Sequence, residues 1–357
     1  MTRVVIAGGG TGGHLFPGLA VAAELRRGGA DLAWLGARRG LEATRVPAAG
    51  IPVRLLAVTG AVGRSPAARV SAALRVAPAV LQAVAFLLRR QAQAVLSVGG
   101  YASVPGALAA CLLGVPLVLQ EQNALPGVAN RALAPWAATI ACGFAAAAAR
   151  FPSLAATWTG NPVRAEFFAV PAPPLEPLGV LVMGGSQGSA FLNQTMPQAF
   201  AALGARARLP RILHQAGPRW ESEVRRRYAD AGVDAEVVGF IERPAEALAA
   251  AALVVARAGA LTVAELAAAR RAALLVPFAA AAHGHQLHNA AELAATGAAE
   301  VIEEPAATPA GLAAALERWL AEPERLAARG QAGARIARAD AAATVAAIVT
   351  RAAGGAA

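Results

Sequence analysis

Short apolar runs recur along the first half of the chain, with segments of helical length between them. The runs are Val4–Ala7, Leu32–Leu35, Val53–Leu56, Ala94–Val98, Leu117–Gln120 and Thr139–Cys142. They are near-continuous rather than alternating, the pattern of strands covered on both faces in a parallel sheet. Strands alternating regularly with helices predict an α/β domain with a doubly wound sheet. The cluster Pro171-Ala172-Pro173-Pro174-Leu175-Glu176-Pro177 then breaks the pattern and reads as a linker. Beyond it the pattern restarts, with strands expected near Val180–Met183, Arg211–His214, Glu236–Val238, Leu253–Ala256, Ala273–Val276 and Glu300–Ile302. Pro309 to Ala353 is helical, with breaks near Pro323, Gly330 and Gly333. The expected division is 1–163 for a first domain, 164–177 for a linker, 178–340 for a second domain and 341–357 for a last helix.

Each domain opens on a strand followed by a glycine-rich loop. In the first, five of the six residues Gly8 to Gly13 are glycine; His14 closes the loop, and helical spacing resumes at Pro17. In the second, Gly184-Gly185-Ser186-Gln187-Gly188-Ser189 leads into a helix from Phe191. Strand, glycine loop and helix start bring backbone N–H groups and the positive end of a helix to one spot, which favours phosphate. Two such domains facing a cleft suit a nucleotide-activated donor with a diphosphate. Gly8, Gly10 and Gly13 also satisfy the dinucleotide pattern G-x-G-x-x-G. A dinucleotide site wants an acid after the second strand, and Gly36-Ala37-Arg38-Arg39 stands there instead. A dinucleotide-dependent oxidoreductase therefore remains only as a weaker alternative.

Charge narrows the partners. All 32 basic residues are arginine and the net charge is +10, which suits an anionic substrate or an anionic membrane surface. The arginines are scattered without interleaved aromatics, so nucleic acid is not expected. Cys111 and Cys142 lie in apolar runs and read as core residues of a reduced protein. Thr2-Arg3 runs straight into the first strand, so no signal peptide is expected. Ser97 to Gln120 carries no charge, but Gly99-Gly100, Pro105-Gly106 and Gly114-Val115-Pro116 divide it into strand, loop, helix and strand rather than a membrane span. From Arg64 to Arg90 a long helical region, interrupted near Pro78, has Val70, Leu74, Ala77, Leu81, Val84 and Leu88 on one stripe. Val76, Val80, Phe86 and Leu87 fall off that stripe, leaving more apolar surface than one core face needs. The region is either a helix pair packed on the sheet or a peripheral membrane-docking patch.

Candidate chemistry clusters at the predicted strand ends. Thr262 and Glu265 have capping-box spacing, and the Glu265 carboxylate could also accept hydrogen bonds from a ribose diol. His283, His285 and His288 do not form a metal set, because His283 and His285 do not share a helical face and no carboxylate joins them. Gln286 among them suits a sugar hydroxyl. No Asp-x-Asp motif is present to carry a divalent cation, so leaving-group charge falls to helix N-termini, loop N–H groups and arginine. His14 is one candidate general base and Glu121 the other.

Gly9-Gly10-Thr11-Gly12-Gly13-His14, Glu121-Gln122-Asn123, Gly160-Asn161-Pro162-Val163-Arg164, Gly184-Gly185-Ser186-Gln187-Gly188 and Gly259-Ala260-Leu261-Thr262 occur in that order. Together, over about Arg3 to Thr350, the chain resembles the MurG family, the UDP-N-acetylglucosamine transferases that act on undecaprenyl-diphosphate-linked muramyl-pentapeptide (lipid I). The resemblance implies a GT-B fold and inverting, metal-independent transfer to the muramyl C4 hydroxyl, giving lipid II with no cofactor. It implies donor contacts from Thr11, Gly12, Gly13, Asn123, Arg164, Ser186, Ile241, the run Ala260, Leu261, Thr262, Val263, Ala264 and Glu265, and Gln286. It further implies peripheral attachment to the cytoplasmic face of the inner membrane through the Arg64–Arg90 region, partners in cell-wall or division complexes, and a last helix returning to the first domain. A catalytically silent scaffold of the same fold is the other alternative. The chain departs from the family pattern at Ala279–His283, where polar or acidic residues are usual, and at Ala264, where serine is common.

Overall fold

The computed structural model describes the chain except for Arg39, residues 60–75, 153–154, Leu175, residues 206–208, 282–283 and 355–357. Arg64, Arg69, Val70, Leu74, Arg75 and His283 thus lie outside the described residues. The chain divides into two compact units, one of Met1–Val163 with Arg338–Ala357 and one of Arg164–Ala337.

Unit 1 is built on seven parallel strands: β1 (Arg3–Ala7), β2 (Asp31–Ala37), β3 (Val53–Leu56), β4 (Ala94–Ser97), β5 (Leu117–Glu121), β6 (Thr139–Cys142) and β7 (Ala156–Trp158). Their spatial order is β3-β2-β1-β4-β5-β6-β7. The sequence pattern did not mark β7, which has three residues and none of them fully buried. Residues of β1 alternate between the sheet's two faces. Val4 and Ile6 pack with Leu15 and Val21 of helix Gly12–Arg27 and with Val345 and Val349 of the last helix, Ala341–Gly354. Val5 and Ala7 pack with Ala79, Ala83 and Leu87 of helix Val76–Arg90 and Ala107 of helix Val104–Leu113. The uncharged stretch from Ser97 is thus a strand end, a ten-residue helix and a strand, and no helix among the described residues is long and apolar enough to cross a membrane.

Unit 2 repeats the plan with six parallel strands: β8 (Gly179–Met183), β9 (Arg211–Gln215), β10 (Glu236–Val238), β11 (Leu253–Ala256), β12 (Ala272–Leu275) and β13 (Ala299–Val301), ordered β10-β9-β8-β11-β12-β13. Val180 and Val182 face Met196 and Phe200 of helix Ala190–Gly204 and Leu312 and Leu316 of helix Pro309–Leu320. In both sheets the strand order reverses at the first strand, between β1 and β4 and between β8 and β11. A crevice at the strands' carboxyl ends opens at such a reversal, the usual ligand position in doubly wound sheets. Both glycine loops stand at these points.

Three local expectations change. Helix Gly12–Arg27 starts at Gly12 rather than Pro17, so Pro17 lies buried inside it. The glycines that open the helix carry no apolar signal, which is why spacing placed the start late. Gly330 does not break the tail but lies within helix Pro323–Gly333. On helix Val76–Arg90 the core face is Ala79, Val80, Ala83 and Leu87, whereas Leu81 and Leu88 of the expected stripe point outward, 70% and 60% exposed. Of the residues that fell off the stripe, the sheet takes Val80 and Leu87, together with Ala79 and Ala83.

Candidate active site

At the reversal point of unit 1 the chain leaves β1 as Gly8-Gly9-Gly10 and enters the helix at Gly12. Not every N–H of this loop is available to a ligand. Gly8 donates to the Leu35 carbonyl at 3.0 Å, and Gly10 donates to Glu42 Oε2 at 2.8 Å. Glu42 is fully buried, and its other oxygen accepts from Ala37 N at 2.7 Å. The loop can close over this carboxylate only because Gly9 has no side chain, since a Cβ there would fall 2.3 Å from the carboxyl carbon. Thr11, the uncapped helix N-cap, and Gly12 and Gly13 of the first turn remain, with N–H groups that precede any partner within the helix.

His14 stands on the first helical turn, half-buried. Its Nδ1 lies 3.2 Å from Gln122 Oε1. Burial pushes the imidazole below its ordinary value, and the charge of Glu121, the Gln122 side chain, the Val98 carbonyl and the charge of Glu42 oppose that shift only in part. The ring is therefore neutral at pH 7.

Glu121, the competing base, is also buried, but not among apolar groups alone. Its Oε1 accepts from Asn123 N (2.9 Å) and Nδ2 (3.2 Å), and its Oε2 accepts from Gly127 N (2.8 Å) and Asn130 Nδ2 (2.8 Å). A carboxylate with both oxygens engaged holds Asn123 and the loop to Gly127 in place and is poorly placed to take a proton from an incoming hydroxyl.

Unit 2 gathers a second set at the ends of β8 and β11. Ser186 is half-buried in the glycine loop. The turn is fixed by backbone approach: Gly188 has φ +75°, and a Cβ there would lie 1.8 Å from the Ala216 carbonyl oxygen. Ser189 caps helix Ala190–Gly204, its Oγ accepting from Leu192 N at 3.3 Å. The same Oγ accepts from Arg257 Nε at 2.9 Å. Arg257, at the end of β11, also donates to the Val276 and Pro277 carbonyls and pairs with Glu304 at 2.6 Å, so one guanidinium joins four segments around the site.

The capping box at Thr262 and Glu265 is not formed. Helix Ala260–Ala268 begins three residues earlier, with Gly259 at the N-cap and no side-chain cap, so Thr262 is the third helical residue and Glu265 the sixth. Chain reversal straight off β11 starts the helix before threonine is reached. Ala260, Leu261 and Thr262 consequently present an uncapped first turn, while Val263 and Ala264 are packed inward. Glu265 lies one turn further. Burial pushes its carboxyl up to about 7 against the charge of Arg164, with Glu166 adding to the rise. Arg164, half-buried, pairs with Glu166 at 3.0 Å. Gln286 opens helix His285–Ala294, and its Oε1 accepts from Ala258 N (3.1 Å) and Phe278 N (2.9 Å), pinning that helix to the β11 turn. Ile241 sits apart from this set on the loop after β10, half-buried. Among the described residues no group of three or more His, Cys, Asp or Glu is placed to hold a metal.

Glu42 and Arg257 were given no role by sequence, and Gln122 was marked only as the middle of Glu121-Gln122-Asn123. Glu42 is distant in the chain from the loop it holds, and only the folded register reveals it.

The glycosyltransferase family 28 N-terminal domain matches residues 4–142, and the glycosyltransferase family 28 C-terminal domain matches residues 179–345. A protein of Xanthomonas axonopodis pv. citri, named UDP-N-acetylglucosamine–N-acetylmuramyl-(pentapeptide) pyrophosphoryl-undecaprenol N-acetylglucosamine transferase, is 43% identical over 357 residues, covering 98% of this chain and 82% of the relative. A protein of the same name from Stutzerimonas stutzeri is 43% identical over 345 residues, 95% of each chain. The crystal structure of Acinetobacter baumannii MurG superposes with a TM-score of 0.80 at 31% identity, over 98% of this chain and all of that one.

Proposed function

The chain belongs to glycosyltransferase family 28, among the MurG-type N-acetylglucosaminyltransferases, and from that premise we propose how its residues divide the reaction. The activity is transfer of N-acetylglucosamine from its UDP-sugar to the muramyl unit of undecaprenyl-diphosphate-linked pentapeptide, the lipid I to lipid II step of peptidoglycan synthesis. This sets aside the dinucleotide oxidoreductase.

In this reading unit 2 binds the donor. Ser186 and the uncapped turn Ala260–Thr262 meet the diphosphate, Glu265 accepts from the ribose, Ile241 lies against the uracil, Gln286 reaches a sugar hydroxyl, and Arg164 adds positive charge. In unit 1 the Thr11–Gly13 turn and Asn123 bind phosphate and sugar groups, and the acceptor diphosphate sits over Gly8–Gly13. His14 takes the proton from the C4 hydroxyl as that oxygen attacks the anomeric carbon. The bond from that carbon to UDP breaks on the opposite face, inverting configuration. Charge appearing on UDP is met by preorganised N–H groups, with no metal in the route. The observation that carries this is the half-buried imidazole of His14 at the reversal point of unit 1, its Nδ1 held 3.2 Å from Gln122 Oε1. The test is product analysis with UDP-N-acetylglucosamine and a short-chain lipid I analogue. The expected product is the acceptor carrying one β-linked N-acetylglucosamine; unchanged acceptor, with UDP still bound tightly, would point to a silent scaffold.

Donor affinity should depend on Glu265. A ribose diol donates to the ionised carboxylate, and the carboxyl titrates at about 7 in the free protein. UDP binding is therefore expected to weaken as pH falls below about 7, approaching tenfold per pH unit. A Glu265→Gln protein should bind weakly with no such slope; calorimetry from pH 5.5 to 8.5 distinguishes the two.

Attachment to an anionic membrane surface is supported by the outward face of helix Val76–Arg90, where Leu81 and Leu88 are exposed beside Arg89. Leu112, on the neighbouring helix Val104–Leu113, is 72% exposed. Arg90 takes no part, being paired with Asp31 at 2.8 Å. In this reading the surface is the cytoplasmic face of the inner membrane, where cell-wall or division proteins are further partners. A Leu81→Asp, Leu88→Asp protein should lose about tenfold or more in affinity for phosphatidylglycerol vesicles while binding UDP normally. Unchanged vesicle sedimentation would remove this face from the membrane contact.

A further inference from the structure

We propose that Gln122 is a positioning residue that fixes the His14 proton on Nδ1 and so leaves Nε2 bare to receive the acceptor's proton, an inference that rests on His14 being the base.

The orientation of the Gln122 amide follows from its neighbours. Its Nε2 donates to the Val98 carbonyl oxygen at 2.8 Å and to Gln120 Oε1. A carbonyl oxygen only accepts, so the NH2 end must face Val98 and the oxygen end must face His14. Gln122 Oε1, 3.2 Å from Nδ1, can likewise only accept. Nδ1 must then carry the hydrogen, and a neutral ring has only one. The amide cannot turn over without setting its oxygen against the Val98 carbonyl oxygen, two acceptors face to face.

The amide is itself held. Gln122 is 2% exposed, and its backbone oxygen accepts from Asn161 Nδ2 at 3.0 Å. The pair meets over Gly99, where a Cβ would stand 3.1 Å from His14 Nδ1 and 3.3 Å from Gln122 Oε1. β4, β5 and the turn after β7 therefore converge on one hydrogen bond. Free histidine side chains prefer the opposite tautomer, with the hydrogen on Nε2. Without Gln122 the nitrogen needed as base would be capped most of the time.

The test is long-range proton–nitrogen correlation NMR on ¹⁵N-histidine protein at pH 8, with His14 assigned from a His14→Gln spectrum, for the parent and for Gln122→Met. The parent should show His14 protonated on Nδ1, and Gln122→Met should shift it toward Nε2–H. With lipid I analogue, the variant's kcat should fall roughly 10- to 100-fold, while UDP affinity stays unchanged. A parent protonated on Nε2 would overturn the inference without need of any variant. So would a Gln122→Met protein whose His14 stays protonated on Nδ1. A tautomer that switches with no loss of turnover would leave the positioning intact and sink His14 as the base.

Discussion

A His14→Ala protein is expected to turn over lipid I about 10²- to 10⁴-fold more slowly than the parent, with UDP affinity within a factor of two. The alcohol must lose its proton as it attacks. Glu121 is poorly placed to take over, because four donors engage its oxygens. The pH profile should follow the same group. A base works when unprotonated, and burial lowers the His14 pKa from its ordinary value of about 6.5. Activity should therefore persist on the acid side to below about pH 6.5 before falling, and His14→Ala should lose that limb. Steady-state kinetics from pH 5 to 9 checks both. Turnover within threefold of the parent would leave the ring a binding group only.

A Glu42→Ala protein is expected to be less stable by about 3 kcal/mol or more, although Glu42 lies outside the catalytic steps. The change orphans the buried Ala37 N–H, costing about 1–3 kcal/mol, and the half-buried Gly10 N–H, costing less, and opens a void under Gly9, Gly36 and Gly40. Glu42→Gln should cost less, since one amide oxygen still accepts. Because the carboxylate anchors the loop over which we propose the acceptor diphosphate sits, the surviving Glu42→Gln enzyme should show a raised KM for lipid I with a smaller change in kcat. Denaturant titration and acceptor kinetics separate the two effects. Parent-like stability in Glu42→Ala would mean that the loop does not depend on this anchor.

The fold was legible because buried parallel strands announce themselves as apolar runs. Five of the first six strands lay within one residue of their expected ends, and β2 extended further, at Asp31, Gly36 and Ala37. The glycine loops were legible because β1 and β8 precede them. What the sequence hid was partnership. Glu42 reads as one acid in a short helix until β2 and the loop after β1 are brought over it. Gln122 looks like the middle of a motif until Val98 fixes its amide. Thr262 and Glu265 kept capping-box spacing, yet a helix beginning at Ala260 put both inside it. On helix Val76–Arg90 spacing found apolar stripes but not which one the sheet would take, since either satisfies the 3.6-residue period.

The most direct measurement is UDP release from UDP-N-acetylglucosamine with and without a short-chain lipid I analogue, in the presence of EDTA. Release that requires the acceptor and is unaffected by EDTA is the predicted result, and it matches proton removal by His14 with leaving-group charge met by N–H groups. No acceptor-dependent release from a folded, UDP-binding protein would contradict the account.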